Sequence, residues 1–294
     1  TPPAVVYSFK HALIQDAAYQ MLLQEDREEF HLRIARALTT DLADRAANEP
    51  EVVAHHFTNA GPNGIAPAVH WWGEAGKLAA HRVALREATA HFRQGLLLVA
   101  KLPPSAERDR LELAIRAPSN GTLTALCGWA SPKVGANAAA ILELTERQEV
   151  SHARRTGLWA MWVNTTTKGR IRDSLQWAQR LLEEGEKGGD VDMRIFGHGA
   201  AMISHFYLGE LLQAKEHGDR ILALYDPGEA PRWRQVTAHD LKTLVGVWEC
   251  QWTWMLGYPD RAVQSSDEKD AYARQLGDAF NLGFALTLGA YVFD

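Results

Sequence analysis

Trp72-x2-Ala75-Gly76-x2-Ala79, followed by Ala88-x3-Phe92 and Gly95, is the stretch that decides the fold. Residues 72, 75, 76 and 79 share one face of a helix, and 88, 92 and 95 share one face of the next. Small side chains on those faces let two helices approach closely, so the segment reads as one helix pair with a break near Val83. The arrangement recurs. Lys168-Gly169-Arg170 is followed by Ser174, Leu208-Gly209-Glu210 by Ala214, and Leu256-Gly257-Tyr258-Pro259-Asp260 by Ala262. Each copy has Gly at an inter-helix turn and a small residue five positions later. Gly128 before Trp129-Ala130-Ser131-Pro132 is a degenerate copy. The turns at Val83, Gly128, Gly169, Gly209 and Gly257 are 45, 41, 40 and 48 residues apart. A recurring period of this size means stacked helix pairs, each too small to stand alone and burying its apolar face against its neighbours.

Composition agrees with this reading. The 294 residues hold 78 Ala plus Leu against 25 Val plus Ile, which favours helix over sheet. The net charge of −5 and charged share of 23% describe a folded chain and argue against a general nucleic-acid binder. No apolar run approaches the roughly 18 residues of a membrane span. Cys127 and Cys250 match no disulfide framework, zinc or redox spacing, so a cytoplasmic location is expected. Thr1-Pro2-Pro3 lacks an initiator Met and a signal peptide, and Phe284 to Phe293 stops inside an apolar stretch, so a piece of a longer polypeptide is expected. The ten Trp residues are unusually many.

Before the repeats, β-prone Val5–Phe9 precedes a helix whose face carries Leu13, Ile14, Ala17, Ala18, Met21 and Leu22. Asp26-x-x-Glu29 predicts the start of a second helix, with Phe30, Ile34, Ala37 and Leu38 buried. A third runs from Pro50 to Ala60, with Val52, Val53, His56 and Phe57 inward. The segment Asp226–His239 reads as an inter-repeat loop. Two domains are expected: 1–62 as lead-in and 63–294 as repeats.

The Trp72-to-Gly95 spacing resembles a tetratricopeptide unit, although the periods here exceed the usual repeat of about 34 residues. Tyr7-Ser-Phe-Lys-His-Ala-Leu-Ile-Gln-Asp-Ala-Ala-Tyr19, Arg33-Ile34-Ala35, Pro50-Glu-Val-Val-Ala-His55 and Trp254-Met-Leu-Gly-Tyr-Pro-Asp-Arg-Ala262 resemble a further family. This is the region after the ATPase core of bacterial signal-transduction ATPases with numerous domains, particularly those attached to adenylate or guanylate cyclases. The resemblance implies an all-α, tetratricopeptide-like right-handed superhelix with a short winged-helix remnant at the N-terminus. It also implies an upstream ATPase domain in cis. No phosphate-binding G-x-x-x-x-G-K-[ST] loop occurs in these residues, so ATPase or cyclase activity is not expected of them.

Catalytic signals are weak. His55 and His56 are adjacent and His198 and His205 share a helix face, but no third ligand stands at a metal-binding spacing, and no metal or cofactor is expected. The acid pairs Glu183–Glu184 and Asp190–Asp192 read as solvated helix ends. The basic cluster Arg154, Arg155, Lys168, Arg170 and Arg172 reads as a solvated face flanked by Glu146, Glu149 and Asp173.

The tetratricopeptide register sorts the aromatic residues. In that fold the first helix of each pair lines a concave groove with its second, fifth, ninth, twelfth and thirteenth positions. Counting each turn Gly as the fifteenth puts Trp72 and Trp162 in the core. It puts Trp159, Thr166, Phe206, Tyr207, Gln251 and Trp254 in the groove, with His70, Lys77 and His81 in the first repeat. Trp248 and Trp252 are expected between repeats. A groove lined in this way suits a protein, a peptide or a small-molecule effector. The function expected is a non-catalytic sensor and scaffold in a cyclase-linked signalling ATPase. Alternatives are the effector-sensing repeats of an ATPase-type transcription activator and an α/α-toroid glycosidase, which needs facing carboxylates. Exposed apolar helix faces at the ends also suggest a homodimer; no membrane or nucleic-acid contact is expected.

Overall fold

The computed structural model describes residues 11–147, 151–237 and 239–289. The stretch Val5–Phe9 lies outside them. All described regular structure is helical. Contacts divide the chain into two compact units, 1–122 and 123–294, so the first repeat helices share a unit with the lead-in.

The first unit contains α1 (Ala12–Met21), α2 (Gln24–Thr40), α3 (Ala43–Asn48), α4 (Pro50–Thr58), α5 (Ile65–His81) and α6 (Leu85–Val99). It also holds most of α7 (Ala106–Cys127), which crosses the boundary. Helix α4 packs between α2 and α5, and α5 pairs with α6. The small residues do what their size predicts. A side chain on Gly76 would meet the Phe92 ring at 2.5 Å, and one on Gly95 would meet Ile115 at 2.9 Å.

Helix α2 differs from its sequence reading. It begins at Gln24, after Leu23 and without a side-chain cap, so Asp26 and Glu29 lie inside it. Its buried residues are His31, Ala35 and Leu38, while Phe30 and Ile34 are exposed. The buried stripe is turned because His31 faces α4: its Nδ1 shares a 2.9 Å hydrogen bond with His56 Nδ1, and its Nε2 meets the Tyr19 hydroxyl at 3.0 Å.

The second unit contains α8 (Pro132–Glu146), α9 (Ser151–Thr167), α10 (Ile171–Gly188), α11 (Val191–Tyr207) and α12 (Leu211–Leu224). It continues with α13 (Ala230–Thr237), α14 (Leu241–Met255), α15 (Pro259–Gln275) and α16 (Ala279–Gly289). Successive helices α8 to α12 pack in chain order, α12 meets α14, and α14 pairs with α15. First helix α11 also touches first helices α9 and α14 on either side of it, as stacked pairs require. The segment expected as a loop contains α13, whose Trp233 is buried. An inserted helix with an apolar anchor thus accounts for the longest period.

All five predicted turns have left-handed backbone: φ is 62° at Val83, 83° at Gly128, 75° at Gly169, 78° at Gly209 and 90° at Gly257. Five residues beyond four of them, Ala88, Ser174, Ala214 and Ala262 are completely buried. Val83 performs a glycine's task with a β-branched side chain that is 76% exposed. The left-handed conformation costs such a residue about 1–2 kcal/mol, partly offset by glycine's greater unfolded-chain freedom of about 0.4–1 kcal/mol. Val83→Gly is therefore expected to stabilise the protein by about 0.5–1 kcal/mol in urea unfolding. A loss of stability would contradict the strain at this turn.

Candidate functional site

The face expected to form a groove is mostly filled. Phe196, Gly199 and Ile203 of α11 and Leu244 and Val247 of α14 occupy groove positions, and all are buried. The stacked first helices place bulky side chains at facing positions, and these close the space between them. Trp159 belongs to this filling. It is only 8% exposed, with ring centroids 4.6 Å from Trp162 and 5.5 Å from Phe196, which corrects its expected place on an open surface. Trp162 is core as expected, and its indole N–H donates to Ser204 Oγ at 3.0 Å. Trp72 is partly buried; its indole donates to Thr58 and its ring stacks on His91.

Gln251 is also committed inward. Its amide nitrogen lies 3.3 Å from both Val247 O and Leu288 O, so it ties α14 to α16. Thr166 is half-buried, and its hydroxyl has no hydrogen-bond partner among the described residues.

What remains open is the final turn of the first helices. Phe206 is half-buried against Trp248, at 4.8 Å between centroids. Tyr207 lies 5.5 Å from the same indole, edge to face, and is 55% exposed. One repeat later Trp254 is 46% exposed and Met255 62% exposed. Tyr258, at the start of α15, and Leu212, at the start of α12, extend the apolar character through both turns. Trp248 is buried beneath Phe206 and Tyr207, so its expected role between repeats also supports this edge. Phe206, Tyr207 and Trp254 are the expected residues; Met255 stands at the thirteenth position like Tyr207 although it was not among those expected, and Tyr258 and Leu212 lie on the second helices, outside the register.

His70, Lys77 and His81 are exposed on α5 in the first unit, where Lys77 pairs with Glu74 at 2.8 Å. They therefore do not belong to the same compact unit as the aromatic edge. The basic cluster is largely paired: Arg154 with Glu184, Arg155 with Asp192 and Arg170 with Asp173.

The histidines form pairs, and among the described residues no three His, Cys, Asp or Glu side chains are placed to hold a metal. Burial, with neighbouring histidines as a lesser cause, lowers His56 to about 4. Burial together with Arg194 and Arg220 lowers His198 to about 4, and burial first and His198 second lower His217 to about 4. His239 is lowered to about 4 by burial, with its Nδ1 unpartnered among the described residues and Phe280 and Phe284 beside it. A depressed histidine pKa means that acid favours the unfolded chain, which takes up protons more readily. The urea midpoint should hold above pH 6.5 and fall as pH drops from 6.5 toward 4. His239→Phe should flatten part of that fall; an equally steep fall in the variant would contradict it.

Among the described residues no helix is long and apolar enough to cross a membrane. No family model matches the chain. Over 244 residues it is 23% identical to the protein described as Uncharacterized protein R02095 of Rhizobium meliloti (strain 1021). That match covers 82% of this chain but 23% of the relative's length. Among solved structures it is similar to NprR in complex with its cognate peptide NprX, with a TM-score of 0.57 and 14% identity. The match covers 96% of this chain and 77% of that chain. This likeness gives no support to the α/α-toroid alternative. The fold is all-α and tetratricopeptide-like, built from stacked helix pairs.

Proposed function

We propose that the chain is a non-catalytic repeat region that binds a peptide or protein segment through apolar side chains, docked on the aromatic edge of the second unit. One observation carries this reading. Large apolar residues stay exposed on the last turn of two successive first helices, as Tyr207 and then Trp254 with Met255, while Trp159, Trp162, Phe196, Trp248 and Trp252 on the first helices of the same unit are buried. Aromatic side chains supply much contact area for little ordering entropy, and such patches mark interaction sites. The structural neighbour holds a peptide, which supports the same class of partner here.

The finer reading follows the resemblance in the lead-in. Residues 1–62 are a winged-helix end and linker, 63–294 the repeats, and an ATPase core with a nucleotide cyclase lies elsewhere in the parent protein. The role needs no cofactor, metal, nucleic acid or membrane in this region, and its place is the cytoplasm. Partner binding regulates the ATPase only if affinity differs between two states of the parent.

Peptides selected on this chain from a random library test the edge, read by hydrogen exchange with and without bound peptide. Slowed exchange is expected at 205–212 and 252–258. Protection confined to α5 and α6 would move the site to His70, Lys77 and His81.

A further inference from the structure

A separate cleft of about 430 Å3 opens on another side of the second unit, where α10 and α12 flank α11. On α11 it takes Arg194 and His198, four residues apart on one face, whereas groove-filling Phe196 lies ~200° round the helix from His198. This volume falls in the range of about 300–1,000 Å3 typical of small-molecule sites.

The floor is a histidine pair. His198 Nδ1 and His217 Nδ1 are 2.8 Å apart, and His205, held by Glu210 at 2.6 Å, stacks on His217 at 5.4 Å. One Nδ1 must donate to the other, so the neutral pair retains one ring N–H donor and one ring acceptor. Leucine and alanine side chains of α10 and α12 complete an apolar wall.

Four charges line the same cleft: Glu186 on α10, Arg194 on α11, and Glu216 and Arg220 on α12. Glu216 and Arg220 stand at the i, i+4 spacing that ordinarily forms a helix ion pair. No side-chain hydrogen bond or ion pair joins any of the four to another described residue, whereas paired arginines are common elsewhere in the unit. Two unpaired positive and two unpaired negative groups therefore face one cavity. A simple anion would meet as many carboxylates as guanidinium groups. A ligand bearing both signs satisfies both sets, and the planar guanidinium fork matches a carboxylate.

We propose that this cleft is a second binding site, distinct from the aromatic edge, for a zwitterion of the α-amino acid class. Arg194 and Arg220 take its carboxylate, and Glu186 and Glu216 take its ammonium. The apolar wall receives its side chain.

The test is calorimetric titration of the 294-residue chain with each of the standard α-amino acids. For any that binds, its N-acetyl derivative, lacking the ammonium, and its amide, lacking the carboxylate, are titrated too. At least one amino acid is expected to bind one per chain with Kd below about 1 mM. Both derivatives should bind at least about tenfold more weakly, as should the variants Arg194→Ala and Glu216→Ala. Arg220→Ala, at an exposed position, serves if Arg194→Ala lowers the melting temperature. Tyr207→Ala with Trp254→Ala should leave this binding unchanged. The proposal is overturned if no amino acid saturates the chain by about 10 mM. It is overturned equally if the N-acetyl derivative binds as well as its parent, making the cleft an anion site, or if the cleft variants bind unchanged. Loss of amino acid binding in the Tyr207/Trp254 variant would also overturn it, by making the two sites one.

Discussion

Asp192→Asn is expected to lower the stability of the second unit by about 3–5 kcal/mol, the cost of breaking a buried ion pair by removing one charge. Asp192 is 5% exposed and Arg155 6% exposed. One carboxylate oxygen accepts from Arg155 Nη1 at 2.6 Å; the other accepts from Arg232 Nη2 and from the Trp233 indole, each at 2.8 Å. Arg155 also meets His152 Nδ1 at 2.8 Å and lies over the Phe196 ring, while its Nε has no partner among the described residues. A single carboxylate thus joins α9, α11 and the inserted α13. An amide there has no charge for Arg155, and whichever way it turns, its NH2 faces a donor. The double variant Arg155→Met with Asp192→Asn removes the orphaned charge and should be less destabilised than Asp192→Asn alone. Urea unfolding of the unaltered chain and the two variants decides it. A loss below about 1 kcal/mol for Asp192→Asn would mean that the hub is an ordinary surface pair.

Trp159→Ala should be nearly as costly, at about 3–5 kcal/mol, because it empties the space between Trp162 and Phe196. For a unit of this size that is a melting decrease of roughly 6–20 °C. Trp254→Ala, at a half-exposed position, should change stability by no more than about 0.5 kcal/mol. The contrast matters because both residues occupy groove register. Equal melting decreases in the two variants would show that Trp254 is packed as Trp159 is, leaving no aromatic edge at α14.

The turns and close-packing positions were legible in the sequence because they are local. A left-handed turn wants glycine, and a helix crossing five residues later wants a small side chain; Gly169 with Ser174 and Gly209 with Ala214 state both within six residues. Val83 shows that such a turn can be recognised by its place in the period even without glycine. The burial of Trp159 was not legible, because it depends on Phe196, 37 residues away and itself at a position expected to be open. The same distance hides the Arg155–Asp192 bond, which turned part of an expected solvated basic face into core. Asp226–His239 is polar and broken by Pro227, Gly228 and Pro231, which masked a helix that buries Trp233. Of the groove expected in the second unit, the end-of-helix residues Tyr207 and Trp254 are those the structure leaves exposed, with Phe206 half-buried against Trp248 of the next repeat. The partner of His198 was missed because His217 lies on the following helix, at no spacing that periodicity registers.

The most direct measurement is a binding titration of a selected peptide against the unaltered chain and the Tyr207→Ala/Trp254→Ala variant, with melting temperatures recorded in parallel. An aromatic anchor at an interface is worth about 2 kcal/mol or more, about thirtyfold in affinity, so loss of both should weaken binding by more than about thirtyfold and up to about a thousandfold while the melting temperature stays within a few degrees. Equal affinity in the two proteins, with the fold intact, would contradict binding at the aromatic edge.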